Sequence, residues 1–243
     1  MISKFSGFSV NTYKSTRQER TANVKFLSYL FLFFSVEMVF AALFSTFALV
    51  FYVPLGEGLV QFWQVGLTTI LISAVLVILA FSVNCFNTLP VCFIVYCFFT
   101  ATFSYSCGFL ASFEKSHLFY FGLWTLTAIS ISLAVFILFN ISYLSTIETI
   151  MLVFSGGLIP LMLFLMLSQI NYIPLIVVFV FVSIYGIFIA TGITRSIRNE
   201  LFNINDEHPA SSAIKIFVEG FFVFCRSEDI FGSSWGRRRN FKE

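Results

Sequence analysis

The sequence predicts an all-α, polytopic membrane helix bundle. Three observations carry that expectation. Of 243 residues, 58% are hydrophobic and only 11% are charged, where a soluble domain carries roughly 25% charged residues. Six apolar runs reach the roughly 20 residues that a helix needs to span a bilayer. Alternation at period two, the mark of a transmembrane barrel, is absent. A soluble fold of this length could not bury so much apolar surface, with 35 phenylalanines and a mean hydropathy of +0.93. Soluble enzymes, nucleic-acid modules and disulfide-stapled secreted domains are thereby excluded.

The elements follow in chain order. Residues 1–25 are polar and carry Lys4, Lys14, Arg17, Arg20 and Lys25, with no apolar core of a signal peptide. The apolar runs span about 26–52, 60–83, 89–111, 118–140, 145–168 and 173–194. Pro54, Gly56 and Gly58 close the first run, Asn84 and Asn87 the second, and Pro90 opens the third. Glu114 to His117, Asn140 to Ser145 and Gln169 to Tyr172 separate the others. Loops this short force antiparallel neighbours. In lipid each backbone polar group must be satisfied internally, so the runs are helices. Gly156, Gly157 and Pro160 predict a kink in the fifth span.

After Arg195 the pattern changes. Residues 195–211 are polar, and Ala213 to Cys225 is apolar for only 13 residues, with Lys215 and Glu219 inside it. That length fits a re-entrant or protein-buried helix. The five Lys/Arg of the N-terminal arm, against only Lys115 in the first, third and fifth loops, place the N-terminus in the cytoplasm. The expected organisation is a cytoplasmic arm over 1–25, a transmembrane domain over 26–232 and a basic tail over 233–243.

Few residues can carry chemistry. His117 and His208 fall in different loops, and the five cysteines lack paired metal spacing. We expect no metal, no cofactor, no nucleic-acid partner and no enzymatic activity. The intramembrane acids stand out. An ionised side chain in the hydrocarbon costs at least ~2.5–3.5 kcal/mol, so it faces a bundle interior or a water path. Glu37 lies midway along the first run and Glu219 inside the weak seventh segment. Each is either a functional acid or a protonated carboxyl held by one hydrogen bond. Glu148, near an interface, reads as solvated. Small residues at i, i+4 spacing, namely Gly186, Ala190 and Thr194, and Thr100, Ser104 and Gly108, read first as helix contacts and second as a polar path.

In its order of features the chain resembles the transmembrane Bax-inhibitor-motif family. Leu89-Pro90 stands at the family's turn opening the third helix, followed by Phe99-Thr100 and Gly108. Thr127-Ala128 matches a Thr-Ala pair in the fourth. The stretch Ala213-Ile214-Lys215-Ile216-Phe217-Val218-Glu219, with Phe231-Gly232-Ser233-Ser234 beyond, is similar to the last helix. The resemblance runs from about residue 25 to 234. Two acids of the family's pattern are missing: Phe103 occupies the third-helix position, and Gly186 to Ile197 contains no acid.

The resemblance implies seven helices, the last one short and central. It implies a multipass protein of a bacterial-type inner membrane, acting as a pH-sensitive calcium or cation leak or as a modulator of membrane-protein quality control and cell death. Glu219 is then the expected central acid, with Glu37 second and Arg195 as a candidate partner. The alternative from another class is a non-conducting protein that binds a membrane protease or another membrane protein.

Overall fold

A computed structural model describes the backbone of residues 6–51, 55–82, 88–114, 117–140, 145–167, 172–198 and 208–216, and the side chains of these except 6–23, 81–82, 114, 140 and 195–198. The described elements are helices: α1 (Ser6–Val50), a short α2 (Glu57–Gln61), α3 (Trp63–Ser82), α4 (Val91–Glu114), α5 (His117–Asn140), α6 (Thr146–Leu167), α7 (Tyr172–Arg198) and α8 (209–216). Six of them are long and apolar enough to cross a membrane: Val24–Val50, Trp63–Ala80, Val91–Phe113, His117–Phe139, Thr146–Leu167 and Tyr172–Thr194. The protein is an integral multipass membrane protein with an all-α bundle, as the six apolar runs predict.

The helices pack as a row with one thick end. α3 packs on α4, α4 on α1 and α1 on α5, while α6 and α7 close against α5 and each other. α1 and α4 run parallel: Phe33 meets Tyr96 with ring centroids 5.0 Å apart, and eleven residues on Phe44 meets Tyr105 at 5.9 Å. Lipid is as apolar as leucine, so close packing and interhelical hydrogen bonds must hold such a row. Trp124 Nε1 donates to Thr46 Oγ1 at 2.9 Å between α5 and α1. Ser73 Oγ donates to Thr102 Oγ1 at 3.1 Å and Ser106 Oγ to Thr69 Oγ1 at 3.3 Å, tying α3 to α4. Where α5, α6 and α7 meet, a Cβ at Gly156 would stand 3.1 Å from the Ala128 carbonyl, and one at Gly186 as close to Ile129. The face of Gly186, Ala190 and Thr194 is therefore a packing face.

Two boundaries differ from the sequence expectation. α1 reaches back to Ser6, so the polar arm and the first span share one helix. The described part of the last segment begins at Pro209, earlier than the apolar run at Ala213. Pro at the first helical position explains this start, since its missing N–H is not needed there. His208 Nδ1 accepts the Ala210 N–H at 3.3 Å. All side chains from Ala210 to Ile216 are buried, Lys215 included. Ala210, Ala213, Ile214 and Ile216 join one core with buried residues between Val24 and Met38 of α1, Tyr96 and Phe99 of α4, Leu133 to Ile137 of α5 and Ile189 to Ile193 of α7. Eight residues rise about 12 Å, far short of a span. α8 thus sits inside the same end of the bundle where the first span begins and α7 ends. α6 runs unbroken through Pro160.

Candidate functional site at the seam of α1 and α4

Glu37 lies at the midpoint of the first span and is fully buried. Among the described residues, neither of its carboxylate oxygens has a hydrogen-bond partner. Buried polar atoms are normally satisfied, and leaving one unmade costs about 1–3 kcal/mol, more for a charged group. The expected single hydrogen bond of a merely structural carboxyl is not among the described contacts. Of the hydroxyls of α1, Ser28, Ser35 and Thr46 each donate back to a carbonyl of the preceding turn, while the buried Ser45 Oγ has no partner among the described residues.

Helix geometry sets what Glu37 faces. At 100° per residue, Phe33, Glu37, Phe40 and Phe44 fall within one narrow stripe of α1. Phe33 and Phe44 both touch α4, so the position between them faces α4 too. On α4 the matching stripe is Tyr96, Thr100, Ser104 and Gly108, spaced by four and all buried. Tyr96 Oη donates to the Phe33 carbonyl at 2.7 Å, the same carbonyl that closes the helical turn on Glu37. Thr100 Oγ1 is committed to the Tyr96 carbonyl at 2.9 Å, while Ser104 Oγ is buried with no partner among the described residues. Gly108 lets the helices approach, for a Cβ there would run into the Phe44 ring.

The seam opens sideways into a groove of about 510 Å³ lined by both helices. Its walls are aromatic, with Phe40, Phe44, Tyr96 and Tyr105, and Thr100 and Ser104 supply its polar side. Ser104, whose hydroxyl has no partner among the described residues, lines this groove; the fully buried Glu37 does not.

Of the three acids and bases expected at the site, only the Glu37 side chain is described. Arg195 lies in the last turn of α7 with its side chain outside the described part, and Glu219 lies outside the described residues altogether. Glu148 is exposed and has a structural task. The Ser145 N–H donates to Glu148 Oε2 at 2.8 Å and the Glu148 N–H to Ser145 Oγ at 3.3 Å, a reciprocal cap on α6. The spacing Ser-x-x-Glu signals that cap in the sequence. Among the described residues no group of His, Cys, Asp or Glu could hold a metal ion, and Cys92, Cys97 and Cys107 are free thiols. Tyr96 and Ser104 are the members that sequence reading did not join to Glu37. The only signal was the small-residue spacing of Thr100, Ser104 and Gly108, which says that α4 has a close neighbour without saying which.

The fold and this seam define a class: a multipass α-helical membrane protein with a buried acid midway along its first span that has no partner among the described residues. Compared with known proteins, the chain matches no family model, no curated protein and no solved structure.

Proposed function

We propose that this protein binds a cation at the seam of α1 and α4 and lets it leak across a bacterial-type inner membrane, with Glu37 as the binding acid. The carrying observation is the fully buried Glu37 with both oxygens unpartnered among the described residues. An acid kept in that condition is stabilised by what it binds, not by the fold. The resemblance to the Bax-inhibitor-motif family supports the cation and names calcium. It assigns the central acid to Glu219, and Glu37 takes that part in our proposal. The reading is tested with purified protein in liposomes that carry calcium, potassium and proton indicators. Wild type passes cations and Glu37→Gln does not. Absence of flux in wild type, or equal flux in Glu37→Gln, overturns it.

One observation favours a second reading, a non-conducting partner of a membrane protease or another membrane protein. The groove lies on the flank of the bundle, where its lining residues Val36 and Phe40 are exposed, and this is the face a partner's helix would meet. A membrane protease that copurifies in stoichiometric amount, from protein that shows no flux, decides for it.

A further inference from the structure

α8 is too short to span and too polar to be plain core. It opens with His208 and Pro209 at the end of the bundle where the first span begins. The His208 ring meets Phe93, in the first turn of α4, at a centroid distance of 5.0 Å, and Phe33 of α1 at 6.5 Å. Phe33 lies one helical turn from Glu37, on the side of that end. At 100° per residue, Ala210, Ala213 and Ile214 share one face of α8, and Ser211, Ser212 and Lys215 share the other. Both faces are buried. The apolar face belongs to the same core as Leu27, Leu30, Phe34 and Met38, the stretch of α1 that leads from that end to the level of Glu37. Buried polar side chains within a membrane bundle mark paths for ions or water, and the Ser211 hydroxyl has no partner among the described residues. A helix that only filled the core would be apolar on both faces.

Resting on the cation reading of Glu37, we propose that α8 is a movable cap over that acid. Docked, it closes the way from this end of the bundle and keeps water from Glu37. Displaced, it opens that way, and Ser211, Ser212 and Lys215 meet water at little cost because they are polar already. The ring contacts of His208 with Phe33 and Phe93 hold the docked position.

The test labels Glu37 of the full chain in nanodiscs with a water-soluble carbodiimide and glycine ethyl ester, read by peptide mass spectrometry. The same proteins are assayed for cation flux in liposomes. His208→Ala removes the ring contacts, and Ile214→Asp forces a charge into the core at α8. Leu175→Asp does the same in the separate apolar cluster near the start of α7 and serves as the control. Maleimide labelling of Ser211→Cys, combined with each variant, reports whether α8 has left its place. Wild-type Glu37 should label little. Its labelling and the flux should rise about tenfold or more in both α8 variants, as a local opening equilibrium shifts when core contacts are lost, and should not rise in Leu175→Asp. A displaced α8 with Glu37 still unlabelled overturns the inference. So does an α8 that stays protected in both variants, or labelling that Leu175→Asp raises equally. Raised labelling without flux in any preparation keeps the cap and removes the leak. Glu37-dependent flux that neither α8 variant raises, with labelling unchanged, keeps the leak and removes the cap.

Discussion

The first and second spans have the same mean hydropathy, 2.0 and 2.1, yet 61% of the first is buried within the bundle and 22% of the second. The difference teaches what sorts helices in a membrane. Lipid tails solvate leucine as well as another helix does, so hydropathy does not choose which helix goes inside. Small and polar residues choose. α1 buries Ala41, Ala42, Ser45 and Ala48 and carries Glu37, whereas α3 turns Val65, Leu67, Leu71, Val75 and Ile78 outward and meets α4 through the hydroxyls of Thr69 and Ser73. The central helix is the one that carries what lipid would not accept.

The comparison can be broken first at Gly108. A side chain there meets Phe44, so Gly108→Leu should force α1 away from α4 and destabilise the protein by about 1–3 kcal/mol. Leu71→Ala on the outer face of α3 should change stability by less than about 0.5 kcal/mol. Thermal unfolding of both variants in one detergent compares them directly, and equal losses would mean that α1 is not the privileged helix.

A smaller effect sharpens it. Tyr96→Phe removes the hydrogen bond to the Phe33 carbonyl and should cost about 1 kcal/mol. Ser73→Ala, which cuts α3 from Thr102, should cost nearer 0.6 kcal/mol, roughly the average for such bonds in a membrane. Chemical unfolding in mixed micelles resolves the two.

The smallest effect is a pH dependence at the buried end of the bundle. Partial burial holds the His208 imidazole below the ordinary histidine range. The unfolded chain therefore takes up the proton first. The stability that neutral His208 contributes is complete above the unfolded value of about 6.5 and is lost as pH falls from there through the folded value. His208→Asn keeps an acceptor for the Ala210 N–H and does not titrate. Its melting temperature should vary less between neutral pH and mildly acid pH than that of wild type.

How much of this was legible in the sequence follows from the same physics. The spans were legible because length and apolarity are local properties: the run expected over 145–168 is α6, Thr146–Leu167. Glu37 was legible as an exception, since an acid in an apolar run is conspicuous whatever surrounds it. Its neighbours were not. That α4 rather than α3 lies beside α1 depends on long-range packing between helices of equal hydropathy. The pairing of Glu37 with the Tyr96, Thr100 and Ser104 stripe depends on a parallel register that no local pattern encodes. The start of α8 at Pro209 was missed because apolarity was followed in place of capping chemistry, although His208-Pro209 carries that signal. The first span's continuity with the polar arm was missed for the converse reason, as a change in composition does not interrupt a helix.

The central claim is that Glu37 is kept for function and not for the fold. It is tested most directly by Glu37→Leu, assayed in one preparation for thermal stability and for cation flux in liposomes. The account predicts unchanged or higher stability, because an unsatisfied buried acid is replaced by an apolar side chain, together with loss of flux. A destabilisation of several kcal/mol, as when a buried partner is removed, with flux unchanged, would contradict it.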